Sequence, residues 1–154
     1  MIRHAGHVMA AAAMVSLLAT TPAGGADESI SWLSYGEGLA AAAESGRLVL
    51  IDFHADWCKY CKKMDKETFA DPGVIRLIEE YFVPVSVDTE KEREPARRFG
   101  VRSLPTIWFL ESDGTPLTPL PGFVAAPLFR DVLRYMSSRS FETMSFDAYL
   151  QKGP

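Results

Sequence analysis

Cysteine is scarce in this chain, with two in 154 residues, and so is histidine, with three. A closed zinc site takes four ligands, and a single Cys-x-x-Cys pair without a second one does not supply them. His4 and His7 sit at the extreme N-terminus, which leaves His54 as the one histidine in the body of the chain. Basic stripes interleaved with aromatics are missing too. The formal net charge is −4, so nothing in the balance points to nucleic acid. Beyond the N-terminal segment no apolar run is long enough to span a bilayer. No internal repeat or low-complexity tract appears outside the alanine-rich start.

What is present suits one compact domain: 47% of residues are hydrophobic and 23% charged. Met1 to Ala26 has a short basic front at Arg3, an apolar middle from Val8 to Ala19 and a small-residue end at Gly24, Gly25 and Ala26. That is the layout of a secretory signal peptide. Its apolar core is short for an ordinary span of about 20 residues, the alternative being an uncleaved anchor. The expected organisation is a signal peptide over 1–26, a folded domain over 27–138, and a tail or short helix over 139–154. A monomer outside the cytoplasm, in the periplasm or otherwise exported, is the expected state.

The informative stretch is LVLIDFHADWCKYCKKM, Leu48 to Met64. Leu48 to Ile51 is an unbroken apolar run, as in a strand covered on both faces. Cys58 and Cys61 follow, then the helix formers Lys62, Lys63 and Met64. Both sulfurs are thereby placed near a helix N-terminus, where unpaired N–H groups and the helix dipole favour thiolate over thiol. Cys58, with Lys59 beside it, is expected to have the lowered pKa and to be the attacking sulfur. Cys61, further into the helix, is expected to be the less exposed. A bridge between them closes a very short loop and stabilises weakly, so chemistry explains the pair better than structure does. No cofactor and no metal are called for.

The rest reads in order. Ile30, Trp32 and Leu33 are expected as a short edge strand, and Ser34 with Glu37 as a capping box opening a helix that Gly46 ends. Asp71 and Pro72 open another helix. Phe82 to Val87 reads as a buried strand, and the mixed charge run Asp88 to Arg98 as a solvated helix ended by Gly100. Ile107 to Leu110 is a strand, turned at Asp113-Gly114 into a partner thinned by Pro116, Pro119 and Pro121 as at a sheet edge. A last amphipathic helix, Pro127 to Met136, is expected to bury Leu128, Val132, Leu133 and Met136. This order predicts an α/β fold with a central mixed sheet and helices on both faces.

The motif ADWCKYC after a buried strand, Asp52 six residues before Cys58, and Leu104-Pro105-Thr106 downstream together resemble the thioredoxin superfamily. Ala55 to Cys58, Cys61-Lys62, Thr68-Phe69, Asp71-Pro72 and Val74 are similar in particular to the C-terminal thioredoxin-like domain of the thiol-disulfide interchange protein DsbD. The resemblance implies a thioredoxin fold and roles for named residues. Cys58 would attack a substrate disulfide and Cys61 resolve the mixed disulfide. Asp52, buried and with a raised pKa, would take the proton from Cys61. Pro105 matches the family's cis-proline, leaving the Leu104 backbone to pair with an extended substrate. Trp57 and Tyr60 would form a docking rim. Asp65 lies where the DsbD domain carries an acid, and His54 replaces an aromatic.

Two departures bear on direction and proton transfer. Lys59-Tyr60 is neither the Gly-Pro of thioredoxins nor the Pro-His of the oxidant DsbA. Pro84 stands, on an approximate register, where thioredoxins place a lysine beside the buried acid. The implied activity is reduction of disulfides in exported proteins, with electrons from a membrane donor of the DsbD type. A disulfide oxidase or isomerase, and a redox-inactive binding module, remain the alternatives.

Overall fold

The computed structural model describes residues 29–153; the segment expected to be a signal peptide lies outside them. Ten regular elements follow in order: α1 (Tyr35–Ser45), β1 (Leu48–His54), α2 (Lys59–Glu67), α3 (Pro72–Tyr81), β2 (Phe82–Asp88), α4 (Arg93–Arg98), β3 (Thr106–Leu110), β4 (Pro116–Pro121), α5 (Ala126–Ser137) and α6 (Phe146–Lys152). The strands form one mixed sheet in the order β2-β1-β3-β4. β1 runs parallel to β2 and antiparallel to β3, and β4 hangs antiparallel on the edge. No helix among the described residues is long and apolar enough to cross a membrane.

Side chains alternate across a strand, so β1 serves two cores. Val49, Ile51 and Phe53 pack with Val83, Val85 and Val87 of β2 beneath Ala42 of α1 and Phe99. Leu48 and Leu50 join Phe82, Ile107 and Phe109 on the other face, under Met64 of α2, Ile78 of α3 and Leu133 of α5. Each such side chain, fully buried, contributes about 1.5–3 kcal/mol. The second face matters most here, because Asp52 and His54 continue the parity of Leu48 and Leu50. On β2, Ser86 continues that of Phe82. The apolar rows of this face therefore end in three polar residues.

Local signals place the helices. Glu37 accepts the Ser34 N–H at 3.2 Å to open α1, and Gly46 closes it in the left-handed region at φ 72°. Asp71 caps α3 by accepting from the Val74 N–H at 2.9 Å. Its other oxygen takes Arg130 of α5 at 2.8 Å, so one carboxylate both starts a helix and fastens it to another.

Three expectations change, and one left open is resolved. The Ile30–Leu33 strand reduces to a single bridge, in which Leu33 donates to Pro84 and accepts from Ser86. The missing N–H of Pro84 therefore falls on the outer side of β2 and costs the β1 ladder nothing. The charged run becomes helical only at Arg93, because Asp88 accepts from the Glu90 N–H at 3.0 Å and holds Thr89–Glu92 as a turn. On α5 it is Phe129, not Leu128, that completes the buried stripe. At 100° per residue Leu128 lies about 90° from the centre of that stripe, and it is 46% exposed. In 139–154, α6 packs Phe146 and Tyr149 against Tyr135 of α5, ring centroids 5.3 Å away in each case.

Gly38 and Gly36 make opposite predictions. A Cβ on Gly38 would overlap Cγ2 of Val85, whereas one on Gly36 meets nothing. Gly38→Ala is expected to destabilise by about 1–3 kcal/mol, and Gly36→Ala to stabilise by up to about 1 kcal/mol, as read by denaturant unfolding.

Candidate active site

β1 leaves the sheet at His54, and the chain turns once, with the Cys58 N–H donating to the Ala55 carbonyl at 3.0 Å, before α2 begins. Cys58 is the N-cap of α2, and its Sγ accepts from the Cys61 N–H at 3.1 Å. A cap position turns the unpaired N–H groups of the first helical turn towards the sulfur, the arrangement that stabilises negative charge on it. Lys59 opens the helix and adds a cation of the favourable sign.

The two sulfurs are joined in a disulfide, Cα–Cα 5.3 Å. Cys58 is 3% exposed and Cys61 4%, so the expected difference in exposure is absent. Bonded to each other, both sulfurs share one small cluster with Ala55 and Leu104. The aromatics beside them behave in the opposite way: Trp57 is 67% exposed and Tyr60 59%. Across from the pair, the Leu104–Pro105 peptide is cis. The β3 ladder starts only at Thr106, so the main chain of Leu104 lies outside the sheet, beside the sulfurs.

Behind the disulfide the three polar residues at the end of the core face open into a cleft of about 490 Å³, lined also by Asp65, Phe69 and Trp32. Asp52 is buried, and its Oδ1 has no hydrogen-bond partner. Burial, reinforced by the like charge of Asp65, pushes its pKa up to about 8. Partial desolvation raises Asp65 as well, with the charge of His54 acting against it. His54 Nε2 and Ser86 Oγ are hydrogen-bonded at 2.9 Å. Asp65 is four residues after Cys61 and so on the same face of α2.

The structure thus brings Cys58, Cys61, Trp57, Tyr60, Leu104 and Pro105 to one surface, with Asp52 in the cleft beneath. It corrects one neighbour: Pro84 pairs with Leu50, and it is Ser86 that lies beside Asp52. No cation contributes to the shift of Asp52. Ser86 went unnoticed in the sequence. Its parity with Phe82 is the signal that points to it.

The elevated carboxyl has a stability consequence with a definite sign. Between about pH 4 and pH 8 the folded chain keeps the Asp52 proton that the unfolded chain loses. The native state then binds more protons, and stability falls as pH rises through that window. Asp52→Asn removes the buried ionisation. Its melting temperature is expected to match the wild type near pH 4 and to exceed it by several degrees at pH 8, as followed by circular dichroism.

Comparison with known proteins agrees with this geometry. The family model described as a thioredoxin-like domain matches residues 35–137. The thiol:disulfide interchange protein DsbD of Vibrio vulnificus is 34% identical over 106 residues, covering 65% of this chain and 18% of that protein. The chain thus spans under a fifth of the length of this curated relative. Among solved structures, a thioredoxin from Thermus thermophilus is 36% identical with a TM-score of 0.64, covering 70% of this chain and 87% of that one. The reduced C-terminal domain of Neisseria meningitidis DsbD is 30% identical with a TM-score of 0.55, covering 64% of this chain and 90% of that one. With its Cys58–Cys61 disulfide at the head of α2, this chain belongs to the thioredoxin-like family of thiol-disulfide oxidoreductases.

Proposed function

We propose that the protein is an exported, periplasmic reductase of protein disulfides, re-reduced by a membrane electron donor of the DsbD type. The observation that carries this reading is the Cys61 N–H directed at Sγ of Cys58 at a helix N-terminus. In the dithiol form that position holds Cys58 as a thiolate, ready to attack. Attack on a substrate disulfide forms a bond between Cys58 and one substrate sulfur and expels the other as a thiolate, which takes up a proton. Cys61 then gives its proton to the carboxylate form of Asp52 and attacks Cys58. The second substrate thiol leaves and the Cys58–Cys61 disulfide is restored. The substrate leaves as a dithiol, and two electrons must return from the donor before the next cycle.

The surroundings suit each role. Trp57 and Tyr60 offer exposed apolar area beside the sulfurs, and the Leu104 main chain offers hydrogen bonds to an extended substrate segment. A carboxyl whose pKa lies near 8 accepts a proton at neutral pH with little free-energy cost on either side of the transfer. The likeness to DsbD domains supports the envelope location and the donor.

The equilibrium reduction potential of the pair tests the direction of flow. A value near −270 mV, that of thioredoxin, is expected for the reductase, and one near −120 mV, that of DsbA, would assign an oxidase instead. In a disulfide-reduction assay at pH 7, Cys58→Ser is expected to be inactive. Cys61→Ser should accumulate the mixed disulfide, and Asp52→Asn should resolve it about 10²-fold more slowly. Unchanged activity in Cys58→Ser would remove the chemistry from this pair altogether.

A further inference from the structure

Although the chain carries a net charge of −4, the surface on both sides of the disulfide is cationic. Two grooves meet at Trp57. One runs along α2 between Trp57 and Tyr60, with Lys59, Lys62, Lys63 and Lys66 on its walls and Glu67 the sole acid. The other starts at Leu104, which packs against the cluster that holds both cysteines, and continues through Arg102 to Arg97 and Arg93 of α4, with Glu90 the sole acid. Its sorting by sign comes from the helix: Arg93 and Arg97 are four residues apart and share a face, while Glu92 and Glu94 line neither groove. A run that looks evenly mixed in sequence therefore presents one sign to the site.

These cations are also unspent. Lys59, Lys62, Lys66, Arg93, Arg97 and Arg102 are exposed and have no ion-pair partner among the described residues. The contrast is with cations elsewhere. Arg130 is held by Asp71, Arg139 by Glu111 and Glu142, and Lys91 by Asp88 and Asp56. Six unpaired cations line two grooves that meet at Trp57, next to Cys58 in the chain, and an anionic partner is complementary to them. Apolar area at Trp57 and Tyr60 lies between them, so a partner of matching chemistry is a polypeptide, with the reactive disulfide and apolar contacts at the centre and carboxylates on each side.

We infer that the substrates of this site are polypeptide disulfides flanked on both sides by acidic residues, which Lys59, Lys62 and Lys66 engage on one side and Arg93, Arg97 and Arg102 on the other. The inference rests on thiol-disulfide exchange at Cys58 but not on its net direction. Complementary charge acts mainly on the encounter, raising the association rate and making it sensitive to salt.

The test uses Cys61→Ser protein, in which Cys58 forms a mixed disulfide that is not resolved, and three peptides with the same disulfide loop flanked by Glu, Gln or Lys. Each rate of trapping, read by mass spectrometry, is divided by the rate at which dithiothreitol opens the same peptide, which removes the effect of flanking charge on the leaving thiol. The expected order is Glu over Gln over Lys, with about a tenfold span at low ionic strength that contracts towards unity at 0.5 M salt, where screening reaches only a few ångströms. Adding Arg97→Glu and Arg102→Glu should shrink or reverse the order; the salt dependence of the parent protein decides the matter if that variant does not fold. Equal normalised rates for the three peptides overturn the inference and leave the exchange reading intact. Equal rates together with salt-sensitive binding to phosphatidylglycerol vesicles would assign the cations to a membrane surface instead. No trapping with any peptide overturns both readings.

Discussion

The hydrogen bond from the Cys61 N–H to Sγ of Cys58 is the contact around which the molecule is arranged. It exists because Cys58 is the last residue before a helix and not the first residue within one. A cysteine further along α2 would meet N–H groups already committed to carbonyls one turn back. Everything that fixes this junction, from the burial of β1 to the turn at Ala55, serves to hold a sulfur where it can carry charge. Leu104 packs against the cluster that holds the pair, and both cysteines are buried.

That arrangement requires two environments a few residues apart. The sulfur proposed to attack, that of Cys58, lies in positive potential from the head of α2 and from Lys59 beside it. Asp52, the group proposed to accept the second proton, owes its high proton affinity to burial, reinforced by the like charge of Asp65. β1 supplies both, because its end lies at the rim of the sheet while Asp52, two residues inside it, still lies in the core. The unpartnered Oδ1 of Asp52 is a buried polar atom of the kind that costs stability. Its position is compatible with proton transfer, since a carboxyl satisfied by fixed donors would have its pKa drawn down instead.

The surface chemistry is separable from this machinery. The cleft behind the disulfide carries acids, a histidine and a serine, whereas the grooves in front carry lysines and arginines. The sheet and α2 divide them. Charge on the cationic face can therefore change with little effect on the carboxyl at the back, because opposite sides of a packed layer share few groups.

Strand and helix order, the caps at Ser34, Asp71 and Gly46, and the placement of the cysteine pair were legible in the sequence, because each depends on neighbours within a few residues. The cis peptide before Pro105 and the buried acid at Asp52 were legible only through resemblance to a family. Other features were decided by the tertiary structure alone. The Ile30–Leu33 segment pairs at one residue because only Leu33 finds free groups on the outer edge of β2. Ser86, not Pro84, meets Asp52 because register between parallel strands is set by packing far from either residue. Cys58 and Cys61 are both nearly fully buried because the disulfide holds the two sulfurs in one cluster with Ala55, against which Leu104 packs. Arg93 and Arg97 line one groove with Arg102, which follows α4 in the chain, because α4 packs against β2. Local chemistry wrote the elements, and long-range packing decided which of their side chains meet.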